Sequence, residues 1–227
     1  MTMEKIDPVQ LLTKLIDIAS PSGNEIELNK YLFNLLKKMD FDSVEKQQVD
    51  AGGFNIIAKK GNPKLAMLAH TDVVSPHIPA TVKEDKVYGR GSCDTKSCIT
   101  SMICAAQKAL EEKINDFCLC FTVGEEKDFR GVKKLVKQEK IPFAIVGEPT
   151  QLNPVNGHFG VYVLKIISKG KRAHTSNPEK GINAIKKLLK ELDKFKDFKA
   201  QNGSLMTLVK IKGGTADNIV PDKAEAE

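Results

Sequence analysis

The sequence predicts an α/β fold in which short hydrophobic strands alternate with amphipathic helices. Two observations support this prediction. Apolar runs of strand length occur at residues 65–69, 117–123 and 143–146, and helical patterns separate them. The chain of 227 residues is 41% hydrophobic and 28% charged, which is typical of a soluble globular protein with enough apolar side chains for a core. Strands and helices in this alternation are typical of layered α/β domains.

The N-terminal region is predicted to contain two helices. Asp7 and Pro8 are typical of a helix start, since Asp caps the first turn and Pro is favoured at the first helical position. This helix is expected to run to about Ser20. Asn24 is expected to cap the second helix. The apolar residues of the second helix recur at helical spacing and are Ile26, Leu28, Leu32, Leu35, Leu36 and Met39.

The other elements of the first part of the chain follow the same reasoning. Further strands are predicted at residues 44–49 and 54–58, and further helices at residues 95–113 and 130–139. Cys118 and Cys120 alternate within an apolar strand, so we interpret both as small core residues.

The chain changes character near residue 157. Residues 159–168 alternate like a strand, a helix is predicted at 178–195, and another strand at 205–211. These three elements predict a small separate β-α-β domain.

Three segments therefore make up the predicted domain organisation. Residues 1–156 form the first domain, residues 157–213 form the small domain, and residues 214–227 return to the first domain. The Gly pair before Thr215 is interpreted as the exit hinge of the small domain.

Composition disfavours several classes of function. The formal net charge is +6, but the chain has no Trp and only 6% aromatic residues, which does not favour nucleic-acid binding. A mild positive field suits an anionic small-molecule substrate. No apolar run approaches the roughly 18 residues that a membrane helix needs, and the polar N-terminus lacks the apolar core of a signal peptide. The five cysteines contain no C-x-x-C pair, which disfavours a disulfide framework, so we expect a cytoplasmic protein.

Potential metal ligands follow three of the apolar strands. His70 follows the first strand, Glu125 and Glu126 follow the second, and Glu148 follows the third, while Asp94 lies in a Gly-flanked loop. Sites in α/β sheets assemble at the carboxyl ends of strands. Each of these residues alone is more typical of a polar turn, but together they favour a metal site, because zinc binds imidazole nitrogen and carboxylate oxygen together.

The spacing of the polar residues also suggests roles. In the His70-x-Asp72 pair both side chains lie on one face of the strand, so Asp72 is expected to accept a hydrogen bond from the free imidazole nitrogen. Glu125 and Glu126 are adjacent and point in opposite directions. One of them is therefore expected to bind metal and the other to contact the metal-bound water.

Six stretches, in order along the chain, resemble the co-catalytic zinc amidohydrolases, which include acetylornithine deacetylase, succinyl-diaminopimelate desuccinylase, aminoacylases and carboxypeptidases. They are MLAHTDVV, VYGRGSCDTKS, FTVGEEKD, AIVGEPT, KGKRAHTSNPEKGINAI and GGTADNIVP. The resemblance runs from about residue 10 to the end of the chain. It implies a three-layer zinc-peptidase-like catalytic domain, incomplete at its C-terminus, and an inserted α+β lid domain at 157–213 through which a homodimer forms.

The resemblance also implies the ligands of the metal ions. His70 and Glu148 would hold one metal, Glu126 would hold the other, and Asp94 would bridge the two. Glu125 would act as the general base. A complete active site of this family holds two zinc ions, and cobalt is a possible replacement.

Further roles follow from the same resemblance. Asp72 would orient His70, and the peptide bond between Asp94 and Thr95 would be cis. His174, in the stretch AHTS, would reach the active site of a partner subunit and stabilise the oxyanion. Arg90 and Asn218, which lie in two of the matching stretches, are expected to bind substrate.

The implied reaction is metal-dependent removal of an acyl group from an N-acyl amino acid. GEPTQLNPVNGHFGV and AHTSNPEKGINAI are most similar to acetylornithine deacetylase, which makes N-acetylornithine, an intermediate of arginine biosynthesis, the expected substrate. Three alternatives remain open. One is a desuccinylase, dipeptidase or carboxypeptidase of the same family. Another is a non-catalytic fragment that dimerises through 157–213 and binds one metal. The third is a plain α/β domain with fortuitous acidic residues, which the six ordered stretches disfavour.

Two features depart from the family pattern. The family uses a further histidine, far toward the C-terminus, for the second metal, and neither His77 nor His158 is suitably placed to replace it. We therefore expect the chain to be part of a longer protein and nearly inactive alone. Ser97 stands where the family has Gly after D-x-K, and we expect it to shift the loop of Asp94 slightly.

Overall fold

The computed structural model describes residues 5–51, 53–195 and 204–227, and it divides the chain into two units, Met1–Pro154 and Val155–Glu227. The first unit contains a five-stranded sheet and a separate two-stranded hairpin, and the second contains a three-stranded sheet. Each unit has its own buried cluster of apolar side chains. The predicted α/β class is confirmed.

The elements of the first unit follow the predicted order closely. Its helices are α1 (Pro8–Asp17), α2 (Ile26–Leu36), α3 (Lys96–Glu111) and α4 (Arg130–Gln138). Its strands are β1 (Ser43–Asp50), β2 (Gly53–Lys60), β3 (Leu65–His70), β4 (Thr81–Lys83), β5 (Lys86–Tyr88), β6 (Phe117–Thr122) and β7 (Phe143–Val146). The hairpin of β4 and β5 was not predicted. In the described part of the chain, no helix is both long enough and apolar enough to cross a membrane.

The starts of the first two helices differ in how well the sequence predicted them. The side chain of Asp7 accepts hydrogen bonds from the N–H groups of Val9 and Gln10, so the predicted cap of α1 is confirmed. The predicted cap of α2 is wrong. The N–H of Asn24 donates to the carbonyl of Pro21 within a turn, and the residue at the cap position is Glu25. Glu25 makes no capping bond because its carboxylate binds an arginine instead.

The strand order of the main sheet is β1-β2-β6-β3-β7. β3 runs parallel to both β6 and β7, whereas β2 runs antiparallel to β6 and to β1. The register places His70 opposite Thr122 and Leu68 opposite Val146. The carboxyl ends of three neighbouring strands therefore meet at one edge of the sheet.

Helices cover both faces of this sheet. Alternate residues of β6 point to opposite faces, as they do in any strand. Leu119 and Phe121 belong to the larger core, which α1, α2 and α3 complete. Cys118 and Cys120 point the other way, are fully buried, and pack in a smaller cluster with Leu135 of α4. The prediction that both cysteines are core residues is confirmed.

The second unit is a three-stranded antiparallel sheet with one helix against it. Its elements are β8 (Ile166–Lys169), a 3₁₀ turn (Pro178–Lys180), α5 (Ala184–Asp193), β9 (Ile211–Gly213) and β10 (Lys223–Ala226). The strand order is β8-β10-β9. Its core consists of Ala184 and Leu188 from α5 and Ala224 and Ala226 from β10.

The position of β10 corrects the predicted domain organisation. Residues 214–227 were expected to return to the first domain, but Lys223–Ala226 is the central strand of the second unit. The physical reason is that Ala224 and Ala226 supply the small apolar face that α5 covers. The boundary itself lies at Pro154, close to the predicted residue 156.

Three predicted elements of the second unit are shorter than expected. The strand predicted at 159–168 is assigned only at Ile166–Lys169, and the one predicted at 205–211 only at Ile211–Gly213. The helix predicted at 178–195 begins at Ala184, because the side chain of Asn183 caps it by accepting from the N–H of Lys186.

We expect Leu15→Ala to lower the free energy of unfolding by about 2–5 kcal/mol, because Leu15 of α1 is fully buried in the larger core. The control is Lys14→Ala, which changes an exposed neighbour and is expected to cost no more than about 0.5 kcal/mol. Urea unfolding followed by circular dichroism measures both. Similar losses for the two variants would contradict the assigned core.

Candidate metal centre

The polar residues that follow β3, β6 and β7 lie at the same edge of the sheet. His70 is the last residue of β3, Glu125 and Glu126 follow β6, and Glu148 follows β7. Potential ligand atoms of His70, Asp94 and Glu148 all lie within 4.8 Å of one another. The sequence prediction that these strand ends converge is therefore confirmed.

The imidazole of His70 is held between a backbone anchor and a group of carboxylates. The side chain is only 2% exposed. Its Nδ1 lies 2.9 Å from the carbonyl oxygen of Asp72, and its Nε2 lies 3.0 Å from Oδ1 of Asp94. Nε2 also lies 3.9 Å from a carboxylate oxygen of Glu125 and 3.9 Å from one of Glu148. Nε2 is therefore the nitrogen that faces the candidate centre.

Asp72 has a wider role than predicted. Its backbone carbonyl is closer to the imidazole than its carboxylate, whose Oδ1 lies 3.5 Å from Nδ1 of His70. The carboxylate accepts hydrogen bonds from the N–H of Glu125 at 2.9 Å and the N–H of Glu126 at 3.1 Å. The hydroxyl of Ser22 donates to it at 2.7 Å. Asp72 thus fixes the backbone of both glutamates.

The electrostatics of the site follow from burial and from the crowding of carboxylates. Burial alone would raise the pKa of Asp72, but its hydrogen bonds lower it to about 2. Burial alone would lower the pKa of His70, but the carboxylates of Asp72 and Asp94 outweigh burial and raise it to about 11. The pKa of Glu148 is raised to about 6 by burial, and neighbouring carboxylates act in the same direction. Burial also raises the pKa of Glu125 and of Glu126.

This donor set fits a divalent metal ion. Imidazole nitrogen and carboxylate oxygen are the ligands that zinc and similar metals take together. Burial is the main cause of the raised pKa of Glu148, and the neighbouring carboxylates add to it by repulsion, which a cation among them would relieve. His70, Asp94 and Glu148 are the residues that would hold it.

The loop that carries Asp94 is fixed by its next two residues. The peptide bond between Asp94 and Thr95 is cis, as the resemblance implied. The hydroxyl of Thr95 donates to the carbonyl of Gly147, one residue before Glu148. Despite Ser97, Asp94 remains beside His70. The bond from Thr95 to Gly147 joins the loop that carries Asp94 to the loop that carries Glu148.

Lys96 is a residue of the site region that the sequence analysis missed. Its side chain is 1% exposed, and its ammonium donates to the carbonyls of Leu15 and Ile18 at the end of α1, at 2.8 and 2.9 Å. Burial lowers its pKa to about 8. The available signal was helical spacing, because Lys96 lies on the same face of α3 as the buried Ile99 and Ile103. Ser22 was also missed, and it carries no comparable signal.

Arg90 was expected to bind substrate. Among the described residues, none of its hydrogen bonds connects it to the metal-ligand cluster. Its Nε donates to the carbonyl of Pro76, and its N–H donates to the carbonyl of Ile78. Both bonds fix the loop that precedes β4. The substrate-binding role of Arg90 stays a prediction.

His174 and Asn218 both lie in the second unit and are close to each other. The N–H of Thr175 donates to the carbonyl of Asn218 at 3.0 Å. Nδ1 of the exposed His174 accepts from the N–H of Ser176 at 3.2 Å, so a neutral imidazole would carry its proton on Nε2. That nitrogen would be a hydrogen-bond donor, as an oxyanion-stabilising role needs. The predicted roles of both residues remain predictions.

Comparison with known proteins gives consistent matches. The chain is 33% identical over 245 residues to a probable carboxypeptidase from Aspergillus clavatus, covering 93% of this chain and 59% of that protein. It is 31% identical over 217 residues to a probable succinyl-diaminopimelate desuccinylase from Staphylococcus aureus, covering 88% of this chain and 53% of that protein. A crystal structure of a tripeptidase from Staphylococcus aureus has the same fold, with a TM-score of 0.73 and 23% identity, and covers 100% of this chain and 66% of that one.

Two facts follow from these matches. The chain spans less than two thirds of the length of these relatives. The model of peptidase family M20/M25/M40 matches residues 66–208, more than half of the chain, and this segment contains the whole candidate centre. The protein therefore belongs to peptidase family M20/M25/M40.

Proposed function

We propose that the chain is the metal-binding part of a zinc-dependent amide hydrolase. The observation that carries this proposal is the convergence of His70, Asp94 and Glu148, with ligand atoms within 4.8 Å of one another, beside the carboxylate of Glu125. Membership of a peptidase family supports an enzyme that cleaves an amide bond. The activity of the whole protein is part of the proposal, because the chain spans only part of its relatives.

The ligand assignment follows the resemblance, and the clustering of His70, Asp94 and Glu148 supports it for those three residues. His70 and Glu148 would hold one metal ion, Glu126 would hold a second, and Asp94 would lie between them. When bound, such a metal supplies Lewis-acid polarisation of the amide carbonyl and acidifies the attacking water. Asp72 contributes by holding the backbone of Glu126 at 3.1 Å and the imidazole of His70.

Glu125 is the proposed general base. Its carboxylate is 36% exposed and lies 3.9 Å from Nε2 of His70, and its N–H is fixed by Asp72. Burial raises its pKa, which makes it a stronger base than an exposed glutamate. It would take a proton from the attacking water as the new C–O bond forms. It would then return that proton to the amine as the C–N bond breaks. His174 of a partner subunit would donate a hydrogen bond to the oxyanion before that bond breaks.

N-acetylornithine is the proposed substrate, on the resemblance of the motifs to acetylornithine deacetylase. The alternatives are an N-succinyl amino acid and a peptide, since similar proteins are named desuccinylase, carboxypeptidase and tripeptidase. The test is a panel of N-acetylornithine, N-succinyl-diaminopimelate and dipeptides, with added zinc, on the longest protein that the gene encodes. Preference for the acetyl substrate supports the proposal, and preference for a peptide would replace it with a peptidase.

We further propose a cytoplasmic homodimer formed through the second unit. Phe159, Val161, Tyr162 and Leu164 are between 70% and 90% exposed, which suits a surface that another subunit covers. Sedimentation equilibrium measures the association, and a monomer at high micromolar concentration would contradict it.

We expect metal binding to release protons in a pH-dependent way. With the pKa of His70 near 11 and that of Glu148 near 6, the metal-free site holds about one extra proton at pH 7.5 and approaches two below pH 6. These protons must leave, so zinc affinity should fall as pH falls, most steeply below pH 6. Calorimetry in buffers of different ionisation enthalpy measures the release. No proton release at pH 7.5 would contradict the assignment of His70.

The metal content of the chain alone should be nearer one zinc than two. Among the described residues, the group of three ligands that lie within mutual reach is His70, Asp94 and Glu148. Glu126 would add only one more carboxylate to a second site. Elemental analysis after dialysis measures the ratio, and two tightly bound zinc ions per chain would mean that a further ligand exists.

Glu125→Gln should retain metal but lower kcat by about 10²–10⁴-fold in the whole protein, because Gln cannot accept the proton. Glu126→Gln is the matched control, since it removes a proposed ligand and should weaken metal binding instead. Kinetics and elemental analysis of the two variants separate the roles. If Gln at position 125 removes the metal, the two roles are the reverse of those proposed.

A further inference from the structure

The segment from Gly124 to Phe129, here called the glutamate loop, carries both Glu125 and Glu126. The N–H groups of Asp128 and Phe129 donate to the carbonyl of Gly124, at 3.2 and 2.7 Å, so the loop closes on itself at its base. On the site side, the carboxylate of Asp72 holds the two glutamate N–H groups. These bonds hold the loop at its base and on the side that faces the site.

Arg130, the first residue of α4, supplies a second anchor from outside the site. Its Nη2 donates to Oε1 of Glu25 at 2.8 Å, its Nε lies 2.8 Å from Oδ2 of Asp50, and its Nη1 lies 3.4 Å from Oδ1 of Asp128. The side chain is 18% exposed. One guanidinium therefore joins the start of α2, the end of β1 and the glutamate loop.

The guanidinium lies directly against the base of the loop. A Cβ atom at Gly124 would lie 2.3 Å from Nη1 of Arg130, closer than any real contact allows. Gly124 has a φ of +71°, which favours glycine. Position 124 therefore needs glycine for two reasons, the positive φ and the close approach of the Arg130 guanidinium.

Glu25 makes this anchor strong and specific. Its side chain is fully buried, and its Oε2 has no hydrogen-bond partner among the described residues. A buried carboxylate needs a cation, and in the described part of the chain Arg130 is the cation that pairs with it. The pair spans 105 residues, so it ties the loop to a rigid helix start far away in sequence.

We infer that Arg130 is a positioning residue of the metal centre: paired with Glu25 across Gly124, it fixes the glutamate loop and so aims Glu125 and Glu126. The inference rests on the proposed function for the roles of the two glutamates. The fixing of the loop itself stands on the contacts of Arg130 alone. Arg130 acts through the loop and contacts neither His70 nor Asp94 by any hydrogen bond of the described residues.

The test uses the full chain with both partners changed, Glu25→Gln with Arg130→Met. Removing both charges avoids a buried carboxylate without a cation, which alone could prevent folding. The matched control is Lys59→Met with Glu139→Gln. That pair is partly buried, with a separation of 2.9 Å and exposures of 25% and 19%. It joins β2 to the end of α4 without contacting the glutamate loop.

Two measurements are made on each protein. Hydrogen exchange reports whether the N–H groups of Glu125 and Glu126 stay bound to Asp72. Cobalt titration, followed by the visible absorption of the ion, reports the geometry and affinity of the centre. In the test variant we expect exchange at both positions to be at least about tenfold faster and cobalt binding to be about 10–100-fold weaker, the range found for residues that orient metal ligands. In the control variant we expect neither to change.

Arg130→Lys keeps a positive charge but not the three-way contact. Its exchange rates and its cobalt affinity should therefore lie between those of the wild type and the test variant. If the double variant does not fold, Arg130→Lys replaces it in the test. Unchanged exchange and cobalt binding in a folded test variant would overturn the inference. Equal changes in test and control variants would also overturn it, since they would reflect general stability. If the wild-type chain binds no cobalt, the proposed metal function fails, and the exchange measurement still decides whether Arg130 fixes the loop.

Discussion

The parallel pairing of β3 with β6 on one side and with β7 on the other determines where the candidate centre lies. Because the three strands point the same way and are in register, the residues that follow them meet at one edge of the sheet. His70 needs no loop to reach the centre, since it is the last residue of β3. Helices cover both faces of the sheet that contains these strands.

That edge gathers several carboxylates around one buried imidazole. Five carboxylates belong to this group, those of Asp72, Asp94, Glu125, Glu126 and Glu148, and burial raises the pKa of the three glutamates. The surrounding polar contacts hold this arrangement in place. Asp72 binds the backbone of the glutamate loop, and Thr95 joins the loop of Asp94 to that of Glu148. A cation that enters would relieve the repulsion among these carboxylates.

Much of the first unit could be predicted from sequence, because its elements carry strong local signals. The apolar runs of β3, β6 and β7 and the polar residues behind them predicted both the sheet and the site. The cis bond at Asp94 came only from the resemblance to a known family. The pairing of Glu25 with Arg130 could not be predicted, because an acid before a helix is usually a cap or a surface residue. The role of Glu25 becomes clear only in the folded structure, where its partner Arg130 lies 105 residues away in sequence.

The second unit was harder to predict for a different reason. Its last strand, β10, has the sequence KAEA, whose small and charged residues carry little strand signal. Only the helix α5 packed against Ala224 and Ala226 makes that strand part of a core. By contrast, the clear alternation at 159–168 predicted a longer strand than the structure contains. Local pattern is a weak guide where a small core depends on few side chains.

The division of the chain at Pro154 has an evolutionary consequence. Every candidate ligand, the proposed base and the residues that orient them come from one continuous stretch of the first unit, whereas His174 and Asn218 come from the second. Sequence changes confined to the second unit therefore leave the clustered ligands His70, Asp94 and Glu148 unchanged. Similar proteins are named carboxypeptidase, desuccinylase and tripeptidase, so one ligand set can accompany differences elsewhere in the chain.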